Sequence, residues 1–337
     1  MIRIGVLGTS SIAERRMIPA IMKESSSFQY VGVAYSTKAE MGFSGPEDAF
    51  WPLLEKKKQK ASRFQEHFCG QIWEGYQTML SDPGLDAVYI ALPPALHFRW
   101  AKMAIESGKH VLLEKPFTTS VRDTETLIHL AKKKKVAVIE NYGFPLHAQM
   151  DLIRQWIAEG AIGELRQVRA AFCFPHRDSE DFRYCRELGG GALLDCGGYT
   201  LKAGTAILGS DVEVLAAFSQ GLPGHEVDMM GNVMLRNKNG ICAQLTYGMD
   251  HDYRCELEIW GNKGSISASR IFTAPDGFPA PVELKTASGI EKRTASDDQF
   301  QRIVQRFEQC INDETVRLQT MEEVLLQGQL TQCVRDC

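Results

Sequence analysis

Short apolar runs alternate with amphipathic segments through residues 1–144 of the chain. Continuous apolar runs are typical of strands buried on both faces of a sheet, and a 3.6-residue period is typical of the helices that cover them. The predicted strands are Ile2–Leu7, Tyr30–Tyr35, Gln71–Trp73, Asp86–Leu92, Val111–Leu113 and Val136–Tyr142. The predicted helices are Ser11–Lys23, a segment ending at Phe68, Tyr76–Ser81, Ala95–Ser107 and Val121–Lys134. This alternation predicts a doubly wound parallel sheet.

The pattern changes in residues 145–337. One amphipathic helix, Ala148–Ala158, precedes long stretches in which apolar and polar residues alternate. These predicted strands are Leu165–Phe174, Val212–Phe218, Val227–Leu235, Ile241–Tyr247 and Glu256–Trp260, with hairpin turns at Asn237–Gly240 and Asn262–Gly264. Such alternation predicts an antiparallel sheet with one covered face. We therefore expect an α/β two-domain protein, with the doubly wound domain at 1–144 and an α+β domain with a large, mainly antiparallel sheet at 145–337.

Residues 41–60 interrupt this rhythm. Gly42, Gly45 and Pro46 mark turns, Phe50–Pro52 is an apolar knot, and Lys56–Lys58 is a run of positive charge. We interpret the segment as an insertion between a strand and a helix, with its lysines on a solvated face.

The composition is that of an ordinary globular protein. Of the 337 residues 44% are hydrophobic and 24% are charged, and the formal net charge is -4, which argues against a non-specific nucleic-acid binder. No apolar run has membrane-spanning length and the chain starts directly on a predicted strand, so we expect a cytoplasmic protein with no membrane attachment. The nine cysteines lack C-x-x-C spacing, which predicts free thiols and no metal site.

The first predicted strand runs into a turn that contains glycine. Residues Gly8-Thr9-Ser10-Ser11-Ile12-Ala13 have the position and shape of the dinucleotide fingerprint G-x-G-x-x-G/A. Gly8 suits the tight turn, and Ala13 is small enough for close packing of helix on strand. Ser10 replaces the second glycine, and its hydroxyl can donate to a pyrophosphate beside the helix amides. The turn predicts a Rossmann-type dinucleotide site.

The end of the second strand indicates which dinucleotide is preferred. Enzymes that use NAD usually carry an acid here to bind the ribose 2′-hydroxyl, but no acid occurs before Glu40. Ser36, Thr37 and Lys38 instead offer two hydroxyls and a positive charge for a 2′-phosphate. We expect NADP, although the same residues also fit a polar turn on a solvated edge.

Lys115 follows the predicted strand Val111–Leu113, between Glu114 and Pro116. Ligands bind at the carboxyl ends of strands in an open α/β sheet, so this lysine is expected at the edge of a crevice. The preceding strand ends in Leu92-Pro93-Pro94, with His97 in the next helical turn near the same edge. Taken alone, Glu-Lys-Pro also fits a surface lysine in a turn.

The second half contains the stretch Gly189–Thr200, in which three glycines lead into a predicted helix. Asp195 and Tyr199 lie four residues apart and thus on one helical face. A carboxylate beside a phenol suits proton transfer, with the tyrosine as donor. The alternative is a buried, satisfied aspartate and an interfacial tyrosine.

Taken together and in this order, the motifs resemble the Gfo/Idh/MocA family of NAD(P)-dependent sugar oxidoreductases. The residues that carry the resemblance are Gly8–Ala13, Pro93–Pro94 with His97, Glu114–Pro116, Gly189–Tyr199 and Trp260–Gly264. Three further stretches, Gly8–Arg16, Glu140–Tyr142 and Tyr247–Arg254, look like the branch containing nucleotide-diphosphate-hexose 3-ketoreductases. The resemblance implies that Lys115 lies near the nicotinamide and that Tyr199 occupies the general acid/base position, with Asp195 one turn before it.

The expected activity is NADPH-dependent reduction of a keto group on a sugar or nucleotide-linked sugar. The residues expected at the cofactor are Gly8, Thr9, Ser10, Ser11, Ile12, Ser36, Thr37, Lys38, Leu92, Pro93, Pro94, His97, Glu114 and Lys115. Those expected at the substrate are His147, Arg183, Tyr184, Asp195 and Tyr199. The alternatives are a dehydrogenase that oxidises a free sugar or inositol, and a non-catalytic NADP-binding regulator of the same fold. The long alternating strands also predict a homo-oligomer, because they offer more apolar surface than one helix layer covers.

Overall fold

A computed structural model describes residues 1–41 and 47–337, without the side chains of 47–49. The described chain divides into two compact units. The first unit comprises residues 1–118, 122–141 and 303–324, and the second comprises residues 119–121, 142–302 and 325–337. Each unit has its own sheet and its own hydrophobic core.

The sheet of the first unit has six strands within the described residues, and every pairing between neighbours is parallel. In sheet order they are β3 (Gln71–Glu74), β2 (Phe28–Tyr35), β1 (Ile2–Leu7), β4 (Ala87–Ile90), β5 (His110–Leu113) and β6 (Val138–Glu140). The predicted doubly wound parallel sheet is confirmed. Strand order reverses between β1 and β4, and ligands bind in the crevice beyond the carboxyl ends at such a point.

The helices that connect these strands are α1 (Ile18–Lys23), α2 (Lys38–Met41), α3 (Glu47–Phe68), α4 (Tyr76–Leu80), α5 (His97–Glu106) and α6 (Val121–Lys134). The bounds of α4, α5 and α6 lie within a few residues of those predicted, whereas α2 was not predicted. The helix predicted from Ser11 contains a π-helical turn, Ala13–Met17, ahead of α1. A 3₁₀ turn, Pro94–Leu96, precedes α5.

The predicted insertion at 41–60 is wrong for residues 47–60, since these form the first part of the continuous helix α3. Good helix formers follow Pro52, and Phe50, Leu54, Ala61 and Phe64 recur at helical spacing and are buried. Burial of this face outweighs the hydrogen bond that proline cannot make. The predicted turn residues Gly42, Gly45 and Pro46 lie outside the described residues.

The sheet of the second unit has eight strands in the described part of the chain. In sheet order they are β14 (Gly289–Ala295), β13 (Ala280–Thr286), β12 (Gly264–Ser269), β11 (Arg254–Gly261), β7 (Leu165–Cys173), β10 (Cys242–Gly248), β9 (Asp228–Asn237) and β8 (Val212–Gly221). Strands β7 and β10 pair in parallel and the other neighbours are antiparallel. The predicted mainly antiparallel sheet is confirmed.

Two helices, α7 (Ala148–Ala158) and α8 (Gly198–Leu208), pack on one face of this sheet. Alternate residues of the strands, such as Val168, Ala170, Leu245 and Leu257, point into the core that they share with the helices. Burial of apolar surface, at about 25 cal/mol per Å², stabilises the packing of these helices on the sheet.

Beyond residue 264 the sequence pattern predicted no further elements. The structure has the strands β12, β13 and β14 there, followed by the helices α9 (Gln299–Asn312) and α10 (Glu314–Asp336). Strand β14 lacks the alternation that marks a half-buried strand, because all its residues except Ala295 are exposed.

Candidate active site

The turn after β1 can be made only with glycine at position 8. Gly8 has φ +96°, and a Cβ there would lie 2.7 Å from Leu92 Cδ2 and 2.9 Å from the Ala91 carbonyl oxygen. The Gly8 amide donates to the Ala34 carbonyl at 3.0 Å, which ties the ends of β1 and β2 together. The absence of a side chain leaves the backbone open to a close ligand, and the turn therefore fits the pyrophosphate of a dinucleotide.

Ser10 takes the place of the fingerprint's second glycine without closing the turn. Its Oγ accepts a hydrogen bond from the Ala13 amide at 3.2 Å, so the side chain caps the helical segment that begins at Ser11. The hydroxyl proton can still be donated, and amides at the start of the segment favour an anion. Thr9 lies in the same turn, and Ser11 and Ile12 begin the helical segment.

Ser36, Thr37 and Lys38 follow β2 at the carboxyl edge of the sheet. The nearest acid along the chain, Glu40, accepts hydrogen bonds from the amides of Thr37, Tyr76 and Gln77 at 2.9, 3.0 and 2.9 Å. Both of its oxygens are thus engaged at the starts of α2 and α4. The carboxylate is committed to the fold and is poorly suited to bind a ribose 2′-hydroxyl.

Sequence reasoning missed Lys57 at this strand end. The interpretation of the lysine run as a solvated face is wrong for Lys57, which is half-buried and donates from Nζ to Ser36 Oγ at 3.0 Å. The sequence pattern could have predicted that Lys57 lies on the buried face of a helix. Leu54, Lys57, Ala61 and Phe64 follow one another at spacings of three and four residues and therefore share one helical face.

The loop that carries Lys115 is fixed by buried polar groups. The Glu114 carboxylate accepts hydrogen bonds from the Tyr89 hydroxyl and from Asn141 Nδ2. Further along, Glu140 Oε1 accepts from the Phe117 amide at 2.7 Å. These contacts hold the backbone on either side of Lys115, and the Lys115–Pro116 peptide bond is cis. Glu114 thus anchors the loop.

His97 connects this loop to the one that follows β4. Its ring is fully buried, with Nδ1 2.8 Å from the Pro116 carbonyl oxygen and Nε2 2.8 Å from the Leu92 carbonyl oxygen. Burial lowers the pKa of His97, while the two carbonyls favour its protonated form. Both nitrogens face backbone carbonyls, so the ring bridges the two loops on which Leu92, Pro93, Pro94 and Lys115 lie.

In the second unit, Asp195 lies in a π-helical turn, Leu193–Gly197, directly before α8. Its Oδ2 is 2.9 Å from Arg183 Nε, and Arg183 Nη1 is 3.0 Å from Asp181 Oδ1. Burial opposes the charge of Arg183, but Asp195 and Asp181 outweigh it and raise its pKa. The structure therefore brings together two predicted substrate residues, Arg183 and Asp195, in one ionic network.

Tyr199, at the start of α8, is half-buried and surrounded by aromatic rings. Its ring centroid lies 4.8 Å from that of Tyr142, 5.0 Å from Phe172, 5.7 Å from Phe272 and 6.0 Å from Phe144. The contacts with Tyr142 and Phe172 are edge-to-face, which is a favoured geometry for aromatic pairs. This packing fixes the ring and therefore the direction of the hydroxyl.

Asp228, at the start of β9, was also missed by sequence reasoning. Its Oδ2 accepts a hydrogen bond from the Leu193 amide at 2.7 Å. Gly191 has φ +122°, and a Cβ there would lie 2.3 Å from Asp228 Oδ1. Burial raises the pKa of Asp228, and the amides of Leu193 and its neighbours oppose that rise. The carboxylate therefore caps the segment that carries Asp195, from a strand distant in sequence.

The two remaining predicted substrate residues, Tyr184 and His147, also lie in the second unit, and Tyr184 directly follows Arg183 in the 3₁₀ turn Phe182–Tyr184. Tyr184 is buried, accepts a hydrogen bond from the Arg177 amide at 2.8 Å and stacks on His176 with ring centroids 4.5 Å apart. His147 is buried and accepts from the Gln149 amide at 3.1 Å, which caps α7. Burial lowers the pKa of His147, which favours the neutral ring.

Among the residues whose side chains the structure describes, no group of three or more His, Cys, Asp or Glu side chains is arranged to hold a metal ion. Over residues 1–41 and 47–337, none of the helices combines the length and the apolar composition needed to cross a membrane.

Two domain profiles of one sequence family match the chain. The profile described as an oxidoreductase family with an NAD-binding Rossmann fold, GFO/IDH/MocA, matches residues 2–142. The profile of the GFO/IDH/MocA C-terminal domain matches residues 150–267. Together the two profiles cover most of the chain.

Individual proteins are similar over nearly the whole length. A dTDP-3,4-didehydro-2,6-dideoxy-alpha-D-glucose 3-reductase from Saccharopolyspora spinosa is 36% identical, covering 99% of this chain and 96% of that protein. A solved structure of a 3-ketoreductase from Actinomadura kijaniata, in complex with NADP and TDP-benzene, has a TM-score of 0.89 and 33% identity, covering 99% of this chain and 97% of its own. A D-xylose 1-dehydrogenase (NADP(+)) from Haloferax volcanii is 25% identical, covering 95% of this chain and 92% of that protein.

Proposed function

The chain belongs to the GFO/IDH/MocA oxidoreductase family, and from that premise we propose that it uses NADPH to reduce a keto group on a nucleotide-linked sugar. Membership makes it an NAD(P)-dependent oxidoreductase. The observation that carries the choice of substrate is the 36% identity, over 99% of the chain, to a dTDP-keto-sugar 3-reductase. The solved 3-ketoreductase was obtained with NADP and TDP-benzene, which supports the same class of substrate.

The choice of NADPH is supported by the end of β2. Glu40 is the acid nearest to this edge in sequence, and three backbone amides already occupy its carboxylate. Ser36, Thr37 and Lys38 present donors and positive charge there, as a 2′-phosphate requires. Gly8, Thr9, Ser10, Ser11 and Ile12 would hold the pyrophosphate. Leu92, Pro93, Pro94, His97 and Glu114 would shape the nicotinamide side.

NADPH, when bound, supplies the hydride for the carbonyl carbon. The Tyr199 hydroxyl gives its proton to the carbonyl oxygen as negative charge develops there, and it regains a proton from solvent afterwards. The Lys115 ammonium group stabilises the same oxygen, an effect worth roughly 3 kcal/mol where comparable donors have been deleted. Asp195, held by Arg183, keeps the helix start that carries Tyr199 in place.

The assignment of these two residues has support from a relative. Solved structures of the Actinomadura kijaniata 3-ketoreductase include one variant with a tyrosine changed to phenylalanine and others with a lysine changed to alanine or glutamate. The two substituted positions there are separated by the same number of residues as Lys115 and Tyr199 are here.

The rest of the proposal concerns the substrate side and the assembly. His147, Arg183 and Tyr184, with Asp195 and Tyr199, form the substrate-binding set in the second unit. In functional terms, residues 1–144 bind the dinucleotide, and residues 145–337 bind the substrate and mediate association into a homo-oligomer.

The test is a screen of NADPH oxidation against dTDP-linked 3-keto sugars, free keto sugars and sugar-free controls. We expect turnover with the dTDP-linked compounds, at a kcat/KM at least about tenfold above that of the free sugars, because the nucleotide adds binding energy away from the reacting carbon. The second candidate, favoured by the similarity to the Haloferax volcanii enzyme, oxidises a free sugar. NADP⁺ reduction with D-xylose or an inositol, without turnover of dTDP-linked sugars, would replace our proposal with that one. NADPH binding without turnover of any of these compounds would favour a regulator.

A further inference from the structure

Helix α3 directs one ammonium group of the lysine run inward, to the carboxyl end of β2. Lys57 Nζ lies 3.0 Å from Ser36 Oγ, and Ser36 is only 2% exposed. Its neighbour Lys56 is exposed on the same helix. Only one of the two adjacent lysines thus reaches the strand end where the ribose of a dinucleotide is recognised.

The position of Lys57 is fixed by the packing of α3. Leu54 and Ala61, one turn before and one turn after it, are 5% and 0% exposed, and Phe64 is 0% exposed. Residues three and four apart on a helix share a face, so burial of these side chains sets the direction of the lysine. The ammonium group is therefore held at a defined place. Lys57 consequently loses little side-chain entropy when a ligand binds to it.

The charge of Lys57 has no carboxylate partner among the residues whose side chains the structure describes. Burial, and secondarily the nearby charge of Lys60, lower its pKa. An ammonium group has three donors, and Ser36 Oγ takes only one of them. The remaining donors suit an anion, and the closest acid along the chain after β2, Glu40, is held by backbone amides.

We propose that Lys57 binds the 2′-phosphate of NADPH together with Ser36, Thr37 and Lys38, and that it is a main determinant of the preference for NADPH over NADH. This inference rests on the NADPH use proposed above and deepens it. It assigns a ligand-binding role to helix α3, whose first part the sequence analysis interpreted as an insertion with solvated lysines.

The experiment compares Lys57→Met with the parent protein in titrations with NADPH and with NADH. Methionine keeps an unbranched apolar stem and removes the charge, so we expect the fold to be retained, and circular dichroism and the melting temperature check it. A charge-assisted hydrogen bond to phosphate predicts that the Kd for NADPH rises about 10-fold to 100-fold. The Kd for NADH, which lacks the phosphate, stays within about threefold.

Lys56→Met is the matched control, because it removes the same charge one residue away on the exposed side. It should change the Kd for NADPH by less than about threefold, and Lys57→Arg should retain most of the preference. Equal weakening of NADPH and NADH by Lys57→Met would overturn the inference, as would an NADPH Kd within threefold of the parent.

These titrations contain no sugar, so they separate the inference from the proposed reaction. A protein that passes them but reduces no keto sugar keeps Lys57 as a phosphate-binding residue and loses the proposed activity. A protein that reduces dTDP-linked keto sugars but fails them keeps the activity and loses the role of Lys57.

Discussion

At the scale of single residues, Tyr199 carries the proposed proton transfer. Its ring packs among four aromatic side chains, and phenylalanine preserves those contacts while removing only the hydroxyl. We therefore expect Tyr199→Phe to leave the fold and NADPH binding intact and to lower kcat by about 10²–10⁴. Single-turnover measurement of hydride transfer with the best dTDP-linked substrate checks this.

Two comparisons make that measurement specific. Tyr253→Phe removes a hydroxyl that bonds Thr273 Oγ1 in the same unit, and its rate should stay within a few-fold of the parent. Lys115→Ala should lower the rate, and its combination with Tyr199→Phe should lose less than the two single effects predict, because the proposed mechanism has both groups act on one oxygen. A near-normal rate for Tyr199→Phe would show that another group acts as the general acid, and His147 would be the first candidate.

At the scale of elements, the segment that leads into α8 depends on a cap from β9. Asp228 accepts from the Leu193 amide, and replacement of such a capping acid by alanine costs about 0.5–2 kcal/mol. We expect Asp228→Ala to lower stability by that order and to speed hydrogen exchange of the amides in residues 189–197. Hydrogen exchange read by mass spectrometry measures both the site and the size of the change.

The control for that variant is Asp211→Ala. Asp211 pairs with Lys238 at 3.5 Å, and both side chains are about 70% exposed, so the pair contributes under about 1 kcal/mol. Its removal should leave exchange in residues 189–197 unchanged. If Asp228→Ala also leaves that exchange unchanged, the carboxylate is not what holds the segment.

A helix or strand was predictable from the sequence where the pattern within that one segment determines it. Short, mainly apolar runs mark the buried strands β1, β4 and β5, and a helical period marks α7, so the fold class could be predicted from the sequence. The first part of helix α3 was missed because Pro52 and the neighbouring glycines are strong local breakers, whereas the burial that overrides them depends on a sheet formed by other residues.

Only part of the candidate site was predictable from the sequence, namely the residues that local signals place beside strand ends. Gly8 and Lys115 stand next to predicted strand ends, and their placement there follows from the topology of any doubly wound sheet. The pairings of Asp228 with Leu193 and of Glu40 with the start of α4 join residues about 35 positions apart, and that of Arg183 with Asp195 joins residues in different elements. Such contacts cannot be predicted from the periodicity of the sequence, because they form only when separate elements pack together in the fold.

At the scale of the whole molecule, α7 and α8 cover one face of the second sheet, and in the described part of the chain the opposite face, here called the open face, has large exposed side chains. The open face carries Phe218 at 60% exposure, with Met234 at 37% and Trp260 at 39%. It also carries both positive and negative charge, since Arg169 Nη1 lies 3.6 Å from Glu258 Oε2. The guanidinium carbon of Arg169 lies over the Trp260 ring, 5.3 Å from its centroid. A surface that pairs apolar groups with both charges is complementary to a second copy of itself about a twofold axis.

We therefore expect the protein to associate through this open face, and sedimentation velocity between 1 and 100 µM tests it. Phe218→Glu should shift the mass toward the monomer, because each subunit of a twofold pair would bury an unpaired carboxylate, whose desolvation costs several kcal/mol. Phe278→Glu serves as the control, since Phe278 is also exposed (36%) but lies between β12 and β13, outside the strands of the open face, and it should leave the mass unchanged. A parent protein that sediments as a monomer at the highest concentration contradicts the prediction, and an oligomer that Phe218→Glu does not weaken places the contact on another surface.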